Sequence, residues 1–268
     1  MGDAPVMIAC DWSGQRDDCG GTWVAEARDG QLVDLRPKTR CGAVEYVIAQ
    51  AHKHRHLVAG FDFAFSFPDW FVARHAPPPG LWAVAGELGE EWLAACASPF
   101  WGRSGSRRPV GVELFRVTEL EVRALGFGAK SAFQIAGAGA VGTGSIRGMP
   151  YLRDLEAEGF AVWPFPSFAS GGGSDGPWPR TVEIYPRALT GPVRKSDRAR
   201  RIAYLDPLRH RMSEAMLDLA AWSEDAFDAA VSALAMADHA DELVALEPAR
   251  DQTRLREGEI WIPRPATC

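Results

Sequence analysis

The sequence lacks three features that would each fix a class of protein. No apolar run approaches the roughly 18 residues that a membrane-spanning helix needs. We also expect no signal peptide, because no basic start leads into an apolar segment with a small-residue cleavage site. The five cysteines form no C-x-x-C pair, and their odd number suits no disulfide framework. Together these absences predict a cytoplasmic protein without membrane attachment.

An excess of positive charge is also missing. The formal net charge is -6 at pH 7, which argues against a protein that coats nucleic acid through bulk electrostatics. Residues 194–211 depart from this balance, with seven Lys and Arg against two Asp. We interpret this run as a strip that binds nucleic-acid phosphates, and a solvated helix face is the competing interpretation. Its candidate residues are Arg194, Lys195, Arg198, Arg200 and Arg201.

The apolar pattern predicts an α/β fold. An unbroken apolar run from Val6 to Cys10 is typical of a strand buried on both faces. Apolar stretches on both sides of Asp29-Gly30 predict a hairpin. In chain order we predict strand 6–10, hairpin strands 22–27 and 31–35, helix 41–54, strand 57–62, strand 182–185, helical segments over 198–221 broken at Asp206-Pro207, a helix from 224 to 246, and an edge strand or lid at 258–263. Ser223 is predicted to cap the last long helix, with Trp222 and Phe227 as its hydrophobic staple.

The middle of the chain, residues 63–180, has a different character. Prolines and glycine-rich stretches interrupt it, tryptophans are scattered through it, and short helices are predicted over 69–75, 87–97 and 149–158. A structureless loop of this length is uncommon in a compact domain. We therefore predict a single domain over 1–268, with its core in 1–62 and 181–268. Residues 63–180 would form a partly helical insertion over one end of the sheet.

Acidic residues occur at four places in this framework. Asp11 and Asp62 each end a predicted strand, Glu183 lies within another, and Asp225 and Asp228 share a face of the last helix. Ligand sites in α/β sheets lie at the carboxyl ends of strands. Because an unpaired buried carboxylate is costly, we predict that these acids form one cluster. The competing interpretation makes each of them a turn, cap or helix-dipole residue.

The chemistry of this cluster suits a hard divalent cation. Carboxylate oxygens are ligands that Mg²⁺ and Mn²⁺ prefer, and the sequence offers no competing Cys/His ligand set. We predict that Asp11, Asp62 and Asp228 hold Mg²⁺ or Mn²⁺, with Asp225 and Glu183 as further catalytic candidates. Two such ions about 4 Å apart can activate water and stabilise the leaving oxygen in phosphodiester cleavage.

Several motifs together resemble a domain-of-unknown-function family, the one numbered four hundred and twenty-nine. They are Asp11-Trp12-Ser13-Gly14, the stretch from Gly60 to Pro68, Val182-Glu183-Ile184-Tyr185-Pro186, the stretch from Asp225 to Ala230, and the tail from Glu257 to Pro263. The family is regarded as predicted nucleases of the ribonuclease H-like superfamily. Asp225-x-x-Asp228-Ala-Ala is also similar to the final-helix signature of RuvC-type junction resolvases.

The resemblance implies a fold and a set of roles. The fold is an α/β ribonuclease H-like mixed sheet flanked by helices, with a large partly helical insertion between its fourth and fifth strands. Asp11 would be the first-strand metal ligand, Asp62 the fourth-strand acid, and Asp228 or Asp225 the helix acid. An acid on the fifth strand, the position of Glu183, is not universal in that superfamily.

Residues 137–142 match the pattern G-x-G-x-x-G. A dinucleotide site needs a helix directly after this turn, and we expect none because Gly144, Gly148 and Pro150 follow. The loop could instead approach a phosphate, with Lys130 and Ser131 nearby and Ser13 in the turn after the first strand. A plain flexible loop is the competing interpretation.

Three functions are compatible with these patterns. The first is a Mg²⁺- or Mn²⁺-dependent nuclease that acts on a nucleic-acid substrate. The second is an actin-like phosphotransferase, which shares the fold and a turn of the form Asp-x-x-Gly after the first strand. The third is a non-catalytic binding module with a vestigial acidic cluster. The pattern of acids favours the nuclease.

Overall fold

A computed structural model of the protein describes residues 4–166, 168 and 178–264. Within these residues seven strands form one mixed sheet: β1 (Val6–Asp11), β2 (Thr22–Arg28), β3 (Gln31–Lys38), β4 (Leu57–Phe61), β5 (Ala161–Val162), β6 (Arg180–Ile184) and β7 (Ile260–Trp261). The helices of the described part are α1 (Arg40–Ala51), α2 (Asp69–His75), α3 (Gly80–Ala95), α4 (Val117–Ala124), α5 (Gly142–Ala157), α6 (Pro186–Thr190), α7 (Arg198–Leu205), α8 (Glu214–Trp222), α9 (Glu224–Asp238), α10 (Ala240–Val244) and α11 (Arg254–Glu257), and Asp206–Arg211 form a 3-10 helix.

The sheet has the order β3-β2-β1-β4-β6-β5, and β7 pairs with the end of β6 that β5 leaves open. Strand β2 is antiparallel to its neighbours β1 and β3, while β1, β4 and β6 are parallel. Asp29 and Gly30 connect β2 to β3 with positive φ angles of 50° and 73°, as a two-residue hairpin turn requires. The predicted α/β class, a ribonuclease H-like mixed sheet with a partly helical insertion, is confirmed.

Alternate residues of the central strands face two separate apolar layers. Ile8, Cys10 and Ala59 lie in a cluster with α1, α5 and the phenylalanines of the insertion. Met7 and Val58 lie in a second cluster with residues of α8 and α9. Because side chains of a strand alternate between faces, this division decides which face each acid at a strand end takes.

The insertion contributes to the main core. Phe65 and Phe67 are fully buried in the same cluster as Ile8 and Ala59 of the sheet. Within this segment α5 packs against both α1 and α3. The insertion therefore forms much of the layer over one face of the sheet. The prediction placed it only over one end of the sheet, so the insertion covers more of the sheet than predicted. Its predicted glycine-rich stretch at 171–176 lies outside the described residues.

The expectation that no helix follows the G-x-G-x-x-G loop is wrong. Helix α5 begins at Gly142, the last glycine of the pattern, and continues through Gly144, Gly148 and Pro150. A Cβ on Gly148 would lie 2.8 Å from the ring of Phe63, so this glycine lets an aromatic ring pack against the helix backbone. Tertiary contact thus outweighs the low helix propensity of glycine.

The other predicted elements agree with the structure within a few residues, with three exceptions. The helix predicted over 87–97 begins earlier, at Gly80, and ends at Ala95. The last long helix ends at Asp238, where His239 separates it from the short helix α10. Trp222 is 75% exposed, whereas Phe227 is fully buried, so the predicted hydrophobic staple does not form. Ser223 caps α9 as predicted and accepts a hydrogen bond from the backbone N–H of Ala226 at 3.3 Å. Among the described residues, no helix is both long and apolar enough to cross a membrane.

We expect Gly60→Ala to destabilise the protein. A Cβ at Gly60 would lie 2.7 Å from Ile184 Cγ2 and 2.8 Å from Met236 Sδ of α9, and overpacking of this kind costs about 1–3 kcal/mol. In the control Gly86→Ala of α3, the nearest atom, Pro150 Cγ, would be 3.5 Å away, so stability should be unchanged or rise by up to about 1 kcal/mol. Urea denaturation measures both. Equal stability of Gly60→Ala and the wild type would contradict the close approach of α9 to β4.

Candidate active site

Two of the predicted acids lie side by side at the carboxyl ends of neighbouring strands. Cys10 pairs with Phe61 in the parallel ladder of β1 and β4, and the backbone N–H of Asp62 donates to Cys10 O at 3.0 Å. Asp11 and Asp62 therefore follow adjacent positions of the ladder. Counting alternate residues back to Met7 and Val58 puts both side chains on the face that α9 covers.

Helix α9 brings the other two acids to the same place. It packs across β1 and β2, and its first turns carry Asp225 and Asp228. Asp228 is buried, while Asp225 is exposed at the rim. Carboxylates in the first turn of a helix are favoured by its dipole, so the start of α9 tolerates negative charge beside the strand ends.

The pKa values show that the carboxyl groups influence one another. Burial, followed by the charge of Asp228, raises the pKa of Asp62 to about 7. Burial is likewise the main reason why the pKa of Asp228 is raised to about 6, and the charge of Asp225 contributes to this value. The pKa of Asp11 lies well above its usual range, first because of burial and then because of Asp62, Asp228 and Asp225. Close like charges have this effect on carboxylates, which supports the predicted cluster.

Lys195 supplies positive charge to the whole cluster. Its Nζ forms an ion pair with Asp228 Oδ2, and its charge lowers the pKa of Asp11, Asp62, Asp225 and Asp228. The predicted basic strip thus includes a residue that contacts the site directly. Sequence reasoning assigned Lys195 to phosphate binding and missed its contact with a carboxylate.

Arg201 holds the Lys195 segment in place. It is 4% exposed, and its guanidinium donates to Lys195 O, to Ala221 O at 3.1 Å and to Trp222 O at 2.8 Å. These bonds fasten the segment to the end of α8, just before α9 begins. Arg201 is therefore a structural residue, which corrects its predicted role in phosphate binding. Arg194, Arg198 and Arg200 are exposed, as a phosphate-binding strip requires.

Glu183 lies close to Asp62 but belongs to the other face of the sheet. Its neighbours on β6, Val182 and Ile184, face α9, so Glu183 faces the insertion. There its two oxygens accept hydrogen bonds from Arg116 at 2.5 and 2.8 Å and from the backbone N–H of Phe65 at 2.9 Å. Arg116 also pairs with Glu119 at 3.0 Å. The structure thus gives Glu183 a role in fastening the insertion to the sheet, which corrects its placement among the catalytic acids.

The three predicted phosphate-loop residues take different positions. The Ser131 hydroxyl is fully buried, donates to Leu114 O and accepts from the backbone N–H of Phe133, so it does not reach the site. Lys130 is exposed and lines a small cavity together with Asp62. Ser13 lies in the turn after Asp11, and its hydroxyl accepts from the backbone N–H of Gln15 at 3.3 Å. Lys130 therefore shares a cavity with Asp62, while Ser13 is close to Asp11 only along the chain.

The carboxylate oxygens of the cluster suit a divalent cation, although they are not arranged as a complete set of metal ligands. Within the described residues no three Asp, Glu, His or Cys side chains are arranged to hold a metal ion. Asp228 Oδ1, however, is buried without a hydrogen-bond partner in the described part of the chain, and an acceptor in that state requires a cation or donor. The oxygen-only chemistry of Asp11, Asp62 and Asp228 fits Mg²⁺ or Mn²⁺.

The raised pKa values predict how stability depends on pH. Because the carboxyl groups have higher pKa values in the folded protein than in the unfolded chain, the folded state binds more protons between about pH 4 and about pH 7. The free energy of unfolding of the metal-free protein should therefore fall as pH rises through this window. Asp62→Asn removes one repelling charge, so it should raise stability by about 1–3 kcal/mol near neutral pH and have little effect near pH 4.

Denaturation of Asp62→Asn across this pH range, with a chelator present, measures the effect. The matched control is Asp154→Asn, which makes the same chemical change at an exposed position of α5. A stability difference between Asp62→Asn and the wild type that stays constant across the pH range would show that the Asp62 carboxyl titrates alike in the folded and unfolded chains.

Comparisons of the chain with models of protein families, with curated proteins and with solved structures gave no match. The resemblance to the domain-of-unknown-function family therefore stays a prediction from the motifs in the sequence. The function is argued from the geometry and charge of the acidic cluster.

Proposed function

We propose that the protein is a Mg²⁺- or Mn²⁺-dependent nuclease of the ribonuclease H-like type. One observation carries the proposal: Asp11, Asp62 and Asp228 are far apart in the chain, yet Asp11 and Asp62 follow paired strand positions, and the charges of Asp62 and Asp228 raise the pKa of Asp11. A cluster of like charges destabilises the folded state, and such features persist at functional sites. Carboxylates grouped at strand ends are suited to holding a divalent ion.

The candidate residues have the following proposed roles. Asp11, Asp62 and Asp228 would hold the ion. Asp225, which is exposed at the rim of the cluster, adds a further negative charge in the first turn of α9. A divalent ion bound there supplies Lewis acidity and an activated water for hydrolysis of a phosphodiester bond. The exposed arginines of the 194–200 segment bind the phosphates of the substrate.

The proposal extends to the setting in which the protein works. Cys10, Cys19, Cys41 and Cys96 are free thiols, which suits a reducing compartment such as the cytoplasm. The chemistry of the site fits a nucleic acid as substrate and partner.

The actin-like phosphotransferase remains the second candidate because of one contact. A Cβ on Gly14 would lie 2.9 Å from the backbone nitrogen of Gly144, so the turn after Asp11 meets the start of α5. A turn and a helix N-terminus together can bind a phosphate. Such enzymes usually surround the nucleotide with two copies of the domain, whereas the described residues contain one sheet. Calorimetric titration with ATP distinguishes the two candidates, because the nuclease proposal expects no tight binding.

Asp11→Asn should abolish metal-dependent cleavage. The substitution keeps the shape of the side chain but removes a negative charge from the proposed ligand set, so we expect the rate to fall at least about a hundredfold, as for ligands of other metal sites. The measurement is the cleavage of single-stranded and duplex DNA and RNA oligonucleotides in the presence of Mn²⁺.

The matched control is Asp154→Asn, which should cleave like the wild type. If Asp11→Asn and the wild type cleave at equal rates, Asp11 does not hold a catalytic ion. Melting temperatures of both variants, measured with a chelator, separate a loss of chemistry from a loss of fold.

A further inference from the structure

An exposed tryptophan lies next to the acidic cluster. Trp222 is the last residue of α8, and Ser223 after it caps the helix that carries Asp225 and Asp228. Its side chain is 75% exposed, and it has no ring contact with another aromatic residue in the described part of the chain. An exposed indole at this position is free to stack on the flat face of a ligand.

Exposed arginines lie in the segment that is hydrogen-bonded, through Arg201, to the backbone of this tryptophan. We define the basic strip as Arg194, Arg198 and Arg200, which are exposed and have no ion pair among the residues that the structure describes. The hydrogen bond from Arg201 to Trp222 O holds the strip and the tryptophan together. Lys195, within the same segment, contacts Asp228. The segment that carries these arginines therefore contacts both the acidic cluster, through Lys195, and the backbone of Trp222, through Arg201.

We propose that Trp222 and the basic strip form the binding surface for a single-stranded nucleic acid, with an unpaired base stacked on the indole of Trp222. This inference rests on the proposed nuclease function and names its substrate class. The charges fit a polyphosphate backbone, and the aromatic ring fits the face of a base. The strand would continue from this surface towards Asp228.

Stacking on an exposed ring requires an unpaired base. In a duplex each base is covered by its neighbours above and below, so the indole could reach only a terminal pair. Aromatic stacking tolerates any sequence because every base has a π-face. The surface should therefore prefer single strands over duplexes without a strong preference for sequence.

The test is the affinity of a fluorescein-labelled oligothymidylate of about 12 nucleotides, measured by anisotropy with a chelator present to prevent cleavage. We expect Trp222→Ala to bind the single strand roughly tenfold more weakly and Trp222→Phe to retain most of the affinity. The affinity for the same strand annealed to its complement should change little. The matched control is Leu125→Ala of another exposed apolar residue, which is 63% exposed in the turn after α4.

A second measurement addresses the basic strip without altering Trp222. In Arg198→Ala/Arg200→Ala the slope of log affinity against log salt concentration should decrease by roughly 1.4 for the single strand, as expected for two lost phosphate contacts. Arg55→Ala is the matched control, since Arg55 is exposed in the turn before β4, at the opposite end of the parallel strands. An unchanged slope would overturn the assignment of the strip.

Three results would overturn the role of Trp222. They are wild-type affinity of Trp222→Ala for the single strand, an equal loss for single strand and duplex, and no binding of either by the wild-type protein. The experiment also separates this inference from the proposed function. If Asp11→Asn cleaves like the wild type while Trp222→Ala loses single-strand affinity, the surface stands and the catalytic assignment fails. The opposite pair of results leaves the nuclease standing and removes the surface.

Discussion

Repulsion among carboxylates around a single lysine is the constraint on which the rest of the site depends. Asp62 and Asp228 raise the pKa of Asp11, Asp228 raises that of Asp62, and the Lys195 ammonium, which pairs with Asp228, opposes these effects. Charges held together in this way cost folding energy, which the two apolar layers around the sheet must offset. Arg201 contributes to this charge balance, because it keeps the Lys195 segment beside the start of α9.

The alternation of side chains along the strands determines which acids can act together. Asp11 and Asp62 follow adjacent strands and face α9, whereas Glu183 faces the insertion and is neutralised by Arg116. The protein thus contains two neighbouring acidic centres with different counter-charges. The guanidinium of Arg116 is buried and fixed by two carboxylates, so its centre is structural. The Asp228 centre has a lysine on a flexible stem and an oxygen without a partner among the described residues, and under the proposed function a metal ion would replace this lysine as the counter-charge.

Much of this arrangement could be predicted from the sequence. Apolar runs that end in Asp11 and Asp62 locate the strand ends, and the spacing of Asp225 and Asp228 places both on one helix face. The face of Glu183 could not be predicted, since it depends on the register that pairs Phe61 with Glu183. The first half of helix α5, before the predicted helix 149–158, was missed because its glycines are tolerated only through tertiary packing, such as the contact of Gly148 with Phe63. The pairing of Lys195 with Asp228 joins residues 33 positions apart, so no local sequence pattern predicts it.

The central claim is that these carboxylates form a site for a divalent cation, and anomalous scattering from crystals soaked in Mn²⁺ tests it most directly. The account predicts a peak bound by oxygens of Asp11, Asp62 and Asp228, with the Lys195 ammonium displaced from Asp228. An absence of any peak at this place, with Lys195 still paired to Asp228 in fully soaked crystals, would contradict the account.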